Sequence, residues 1–151
     1  MSIRQAFSSD LETVKSISQG TISEIYPHYY PPGAVDFFLK HHNETNILHD
    51  IWKGRVFLCL DAKENTVGTV TIKDNEICRL FVLPQYQGNG YGKEMLDHAE
   101  KIISEEYAEI VLDASFPAKG LYLRRGYKES GFHAIATENG DFLCYDVMKK
   151  M

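Results

Sequence analysis

Apolar and polar positions change their period several times along the chain, and each change marks an element. Alternation from Ile3 to Phe7 predicts a first strand. Ser8, Ser9 and Asp10 supply N-cap candidates, and Glu12 adds acid to a first helical turn. Leu11, Val14, Ile17, Ile22 and Ile25 recur at helical spacing, with a break expected near Gly20. The run Tyr26-Pro27-His28-Tyr29-Tyr30-Pro31-Pro32-Gly33 is excluded from regular helix, because successive prolines bias the chain towards extended backbone. A second helical pattern begins near Ala34, carries Val35, Phe37, Phe38 and Leu39, and passes His41 and His42. Ile47, Leu48, Ile51 and Trp52 predict a further short turn of helix before Gly54.

The period then shortens. Val56 to Leu60, Thr66 to Ile72 and Glu76 to Val82 read as strands, and their short polar links predict antiparallel hairpins. Tyr91, Met95, Leu96, Ala99, Ile102 and Ile103 share one side of a long helix, and a strand follows from Ile110 to Ala114. Pro117 suits the start of a short helix ending before Gly126. Tyr127 to Ala136 and Phe142 to Met148 flank Glu138-Asn139-Gly140-Asp141, a strong hairpin turn. Repeats, linkers and low-complexity tracts are absent, so residues 1–151 read as one α/β domain in the order β-α-α-β-β-β-α-β-α-β-β.

The most informative stretch lies between the third hairpin strand and the long helix. Pro84 stops the strand because it has no N–H for a ladder, and Gly88, Gly90 and Gly92 follow at every second position. A glycine turn feeding a helix leaves N–H groups unpaired at the positive end of the helix dipole, a ready site for phosphate or pyrophosphate. Two familiar phosphate loops fail the spacing. A Walker loop needs four residues between its first glycine and the Gly-Lys pair, then Ser or Thr; Gly88 and Gly92-Lys93 are too close, and Glu94 follows. The dinucleotide fingerprint needs glycine where Lys93 stands.

The pattern that fits is Gln/Arg-x-x-Gly-x-Gly/Ala, present as Gln87-Gly88-Asn89-Gly90-Tyr91-Gly92. Here the chain resembles the GNAT superfamily of acyl-CoA-dependent N-acetyltransferases. Three further features stand where that family has them: the strand ending Leu80-Phe81-Val82, the strand from Ile110, and the segment from Ala118 to Tyr127, similar to the family's A-x-x-x-Tyr-x-x-x-Gly-Phe. The resemblance covers nearly the whole chain. It implies a mixed sheet with helices on both faces, acetyl-CoA as cofactor and an amine as acceptor.

Composition narrows the setting. A hydrophobic content of 44% is ordinary for a globular domain, no apolar run reaches membrane-spanning length, and the N-terminus lacks a secretory core. Cys59, Cys78 and Cys144 each lie inside an apolar run and read as small buried residues rather than a disulfide framework. A reducing cytoplasm follows, in which the sequon Asn43-Glu44-Thr45 is not glycosylated. The net charge of −5 argues against nucleic-acid binding and mildly favours a cationic or neutral substrate. The chain is expected to act as a monomer or homodimer.

The resemblance also assigns roles. The backbone amides of Gln87, Gly88, Asn89, Gly90, Tyr91, Gly92 and Lys93 are expected to cradle the pyrophosphate. The strand Leu80, Phe81 and Val82 is expected to line the pantetheine arm, with the backbone of Leu80 and Val82 pairing to it as another strand would. Lys93, Lys119, Arg124 and Arg125 are the nearby cations for the remaining phosphate, or else they simply cover a helix surface. Tyr122 is the candidate general acid towards the CoA sulfur, the alternative being a core tyrosine. Glu76 is the candidate base, directly or through a water; otherwise it is an exposed hairpin residue beside Asp74. Asp113 orients the cofactor or caps the following turn. Tyr26, His28, Tyr29, Tyr30, His41 and His42 lie in the segment expected to wall the acceptor pocket, where cation–π contacts suit an amine and a histidine is a second candidate base. His41, His42, His49 and Asp50 lack the context of a zinc site, so no metal is expected. The competing class is an acyl-CoA-binding sensor or interaction module without turnover; a complete loop together with Tyr122 favours the enzyme.

Overall fold

The strands expected at Val56–Leu60, Glu76–Val82 and Ile110–Ala114 form at those bounds, as β2, β4 and β5 of a computed structural model describing residues 1–151. The others are β1 (Ser2–Gln5), β3 (Thr66–Lys73), β6 (Lys128–Ala136) and β7 (Phe142–Lys150). All seven join one sheet in the order β1-β2-β3-β4-β5-β7-β6. Only β4 and β5 pair in parallel, and helix α4 (Tyr91–Ser104) supplies the crossover that a parallel pair requires.

Helices cover both faces. Alternation in β2 shows this directly: Val56 and Leu58 join one buried cluster with Ile47, Ile51 and Val14, whereas Cys59 joins another with Met95, Leu96 and Ala99 of α4. Helices α1 (Leu11–Ile25), α2 (Pro32–His41) and α3 (Glu44–Trp52) supply the first face. The short helix α5 (Phe116–Arg124) buries Tyr122 beside α4's cluster.

Three local expectations are revised. Helix α1 runs through Gly20 unbroken, since Ile17 and Ile22 are both buried and hold the turn despite glycine's unfavourable propensity of about 1 kcal/mol. Helix α2 starts earlier than Ala34, with Pro32 in its first turn, where a missing N–H costs nothing. The stretch after His42 is a full helix, because Asn43 caps it: its Oδ1 accepts the Asn46 N–H at 2.8 Å. The element order therefore gains one helix over the expected string.

The β6–β7 hairpin also anchors α2. No side chain beside the start of α2 caps it, but Asp141 Oδ2 accepts the Gly33 N–H at 2.9 Å from across the molecule. Gly33 is glycine for close approach, since a Cβ there would collide with Asn139 and Thr137.

Candidate active site

Gly88 and Gly90 both hold left-handed backbone, at φ of 82° and 88°, which turns the chain into α4. The first helical bond of α4 is Glu94 N–H to Gly90 O, and the amides of Gly88 through Lys93 find no acceptor within the protein, whereas the Gln87 amide, expected in the same cradle, is taken by the Pro84 carbonyl at 3.3 Å. Asn89 Nδ2 bonds the Tyr86 carbonyl at 3.0 Å, and Gln87 Nε2 bonds the Val82 carbonyl at 2.9 Å, so side chains stitch the loop while its amides stay free. These amides and Lys93 edge a groove of about 530 Å³ that continues along Leu80, Phe81 and Val82 to Ser115, Ala118 and Arg124.

The groove exists because β4 and β5 part company. They pair only at Glu76↔Val111 and Ile77↔Leu112, so the β5-facing edge of β4 from Cys78 to Val82 has no partner strand. An unpaired strand edge is a template for any extended chain with amide groups. Into this wedge opens a second cavity of about 240 Å³, with Tyr122, Tyr26, Ser115 and Leu80 among its walls. Tyr122 is only 5% exposed, and its ring meets Tyr127 edge-on at 5.5 Å. Burial drives its hydroxyl above the usual tyrosine range, so it is protonated at neutral pH.

A register irregularity sets the far end. Thr71 pairs with Arg79 but Ile72 with Ile77, which leaves Cys78 as an extra residue in β4. Plain alternation would put Glu76 with Cys78, Leu80 and Val82; the bulge moves it to the face of Arg79 and Phe81. There Glu76 and Asp113 line a third opening, about 350 Å³, together with His41, His42, Lys73 and Arg79. Burial raises the pKa of Glu76, and the neighbouring Asp113 charge raises it further. Asp113 is raised as well, by burial, against the opposing charges of His133 and His41. Cys78 borders the second and third openings, and burial with the adjacent Glu76 pushes its thiol up to about 12. It is no thiolate at neutral pH.

The three openings share walls: Leu80, Phe81 and Ala118 join the first to the second, and Cys78, Arg79 and Asp113 join the second to the third. One channel therefore runs from a loop of free amides, past a buried phenol, to a pair of carboxylates without cationic partners at salt-bridge distance. The extended edge, the free amides and the left-handed glycines together fit an acyl-CoA.

Other expected residues divide. Tyr26, His41 and His42 line the channel, and Tyr29 borders the loop groove. His42 is a fixed neutral group rather than a base. Its Nδ1 accepts from Arg79 Nε at 3.0 Å, and burial with the Arg79 charge drives its pKa down to about 3. His28 is exposed and borders none of these openings. Tyr30 is a structural link: its hydroxyl accepts the Phe116 N–H at 2.7 Å at the start of α5, and its ring stacks on Phe116.

Arg125 is corrected from cofactor contact to structural ion pair. It follows the last residue of α5 and turns towards α4, where Nη2 meets Glu100 and Asp97, each at 2.7 Å. Arg124 borders the groove in its place. Lys119 is likewise committed, to Glu129 at 2.8 Å and Asp146 at 3.1 Å.

Sequence reasoning missed Arg79, Asp50 and Ser115. The Arg79 side chain is 4% exposed and bonds Thr71 Oγ1 at 2.9 Å, His42, and Asp50 at 3.3 Å, fixing the floor of the third opening. A lone arginine inside an apolar strand was the available signal. Ser115 lines the first and second openings together with Tyr26, and nothing local in the sequence marks it.

Comparison with known proteins agrees with this geometry. The acetyltransferase (GNAT) domain family matches residues 25–140. A spermidine N(1)-acetyltransferase of Thermoplasma acidophilum is 23% identical over 158 residues, covering 93% of each chain. An uncharacterised N-acetyltransferase of Chlorobaculum tepidum is 29% identical over 127 residues, 84% of this chain and 75% of its own. Among solved structures, a GCN5-related N-acetyltransferase from Rhodopseudomonas palustris superposes with a TM-score of 0.88 at 21% identity, covering 99% of this chain and 94% of that one. The PaiA N-acetyltransferase of Thermoplasma acidophilum, in complex with coenzyme A, gives 0.73 at 22% identity, covering 99% and 97%. With the sheet, the glycine loop and the family match in agreement, the chain belongs to the GNAT superfamily of acetyl-CoA-dependent N-acetyltransferases.

Proposed function

We propose that the enzyme moves an acetyl group from acetyl-CoA to a primary amine of a small molecule or protein by direct attack in a ternary complex. The observation that carries this reading is the parting of β4 from β5, which joins the anion-binding loop, Tyr122 and the Glu76–Asp113 pair in one channel. Acetyl-CoA, when bound, supplies a thioester carbonyl and a thiol leaving group. Amides 88–93 hold its pyrophosphate, with Lys93 and Arg124 beside them, and the free edge of β4 aligns its arm.

The acceptor arrives at the carboxylate end. A free alkyl ammonium has a pKa of about 10.4, so a base must remove a proton before nitrogen can attack. Glu76, with its raised pKa, takes that proton directly or through a water, and Asp113 shares the positive charge of the incoming amine. As the nitrogen–carbon bond forms, the carbon–sulfur bond breaks and negative charge grows on sulfur, and the second proton of the attacking nitrogen leaves to solvent or to the departing thiolate, which ends as the free thiol of CoA. An ordinary thiol has a pKa of about 8.5, lower than that of the buried Tyr122 phenol. Tyr122 therefore acts by donating a hydrogen bond to the developing charge rather than by surrendering its proton outright. Cys78, held as a thiol, is unsuited to carry the acetyl group, which supports direct attack over a covalent relay.

The experiment is mass-spectrometric detection of acetylated product with acetyl-CoA and a panel of polyamines, aminoglycosides, amino acids and peptides. The relative named for spermidine acetylation puts polyamines first in that panel. A product carrying one added acetyl group on nitrogen establishes the reading and names the acceptor class. Acetyl-CoA binding with no product from any amine would favour the non-catalytic module instead.

A further inference from the structure

Thr21 stands on α1, one helical turn before Ile25, and both border the loop groove. The residue is 4% exposed, and its Oγ1 has no hydrogen-bond partner in the protein. A buried hydroxyl without a partner is costly, and helices offer a ready remedy. Ser18 on the same helix takes it, donating to the Val14 carbonyl at 2.8 Å. Thr21 does not, although the equivalent carbonyl lies one turn back. The other orphaned buried polar atom, His98 Nε2, belongs to a ring packed edge-on against Phe57 at 4.9 Å and borders none of the three openings. The only unsatisfied buried hydroxyl is thus in the wall of the groove that the cofactor occupies.

We infer that Thr21 is a cofactor-binding residue, whose hydroxyl hydrogen-bonds a polar group of acyl-CoA from the α1 wall of the groove. The inference rests on the acyl-CoA reading of that groove. Two parts of the cofactor offer suitable chemistry, an amide of the pantetheine arm and an oxygen of the pyrophosphate. Either partner leaves the free protein with an unmet bond that only the ligand completes. The neighbouring wall residues Ile25, Tyr26 and Tyr29 follow Thr21 along the chain, so the contact couples α1 to the segment that walls the acceptor cavity.

The test compares wild type, Thr21→Val, Thr21→Ala and Thr21→Ser by calorimetric titration with CoA and by thermal melting without ligand. Removing the hydroxyl in Val or Ala should weaken CoA binding about 3- to 10-fold, the worth of one neutral hydrogen bond. Serine should retain binding. The ligand-free Thr21→Val protein should melt at or above the wild-type temperature, because a methyl replaces an unpaired polar group. Repeating the titration with pantetheine separates the sources: weakening with both ligands assigns an arm amide, and weakening with CoA alone assigns the pyrophosphate. Wild type that binds CoA while Val and Ala bind it equally well would overturn the inference and leave the cofactor site intact. A lower melting temperature with unchanged affinity would likewise overturn it, marking Thr21 as structural. Wild type that binds no CoA would fail the cofactor reading itself.

Discussion

Gly90 has left-handed backbone, and a Cβ built there meets no protein atom within 4 Å. A side chain at that position would fill the space in front of the free amides of α4. Gly90→Glu should therefore abolish acetyl-CoA binding, through backbone strain, occupied space and a negative charge facing pyrophosphate. Calorimetry checks this, and undiminished heat would reassign the loop. Tyr122→Phe tests the other residue-scale claim. It should lower kcat by about 10²-fold with little change in cofactor Kd, because the phenol acts on charge that appears only as sulfur leaves. An unaltered kcat would pass that role to water. Both residues stand out in the sequence, one by glycine spacing and one by its place before Gly126. Arg125 was misread beside Arg124, because adjacent residues at a helix end point in different directions and only packing says which meets Asp97 and Glu100.

At the scale of elements, the decisive feature is the extra residue in β4. Cys78 breaks the register with β3, and Glu76 consequently faces Asp113 in the third opening instead of lying on the Leu80 side. Confining two carboxylates there has a consequence for stability. The folded pKa of Glu76 is raised above its unfolded value, so the fold binds the protonated form better. Stability is thus regained as pH falls through the folded pKa and lost as Glu76 ionises above it. Glu76→Gln should raise the melting temperature at neutral pH, lose that advantage below a pH of about 4, and sharply reduce turnover. Paired melting and rate measurements check this; a lower melting temperature at neutral pH would show that the carboxylate is held by favourable contacts instead. No alternation rule applied to residues 76 to 82 could have found this face, because a bulge shows only when two strands are paired.

At the scale of the whole molecule, Glu100 ties α4 to the strands behind it. Its carboxylate accepts from Arg125 at 2.7 Å and from the Tyr127 hydroxyl at 2.9 Å, with Lys150 at 3.4 Å. Burial alone would raise its pKa, but the bonds from Arg125 and Tyr127 outweigh that and hold it low. Asp97 is held low chiefly by Arg125. Stability from such groups is present above their unfolded pKa values and is lost as pH falls through the folded ones. Arg125→Ala should cost about 2 kcal/mol at neutral pH and less in acid, as pH falls through the folded pKa values of the two carboxylates. Chemical denaturation at neutral and acid pH checks the sign. CoA affinity should stay unchanged, and its loss would restore Arg125 to the cofactor site.

Local patterns determined the elements. Period-two runs, helical stripes, glycine turns and proline stops act over a few residues, so nearly every strand and helix was legible, as was the glycine turn that opens α4. Even the helix after His42 was signalled by Asn43, whose sequon hid an N-cap. No helix is long and apolar enough to cross a membrane, as the hydropathy pattern implied. What depended on tertiary structure was everything set between distant segments: the parting of β4 and β5, the bulge that turns Glu76, the buried Arg79–Asp50–His42 group, and the Asp141 cap on α2. Each joins residues far apart in the chain, and side-chain chemistry at one position does not say which distant backbone will come to meet it.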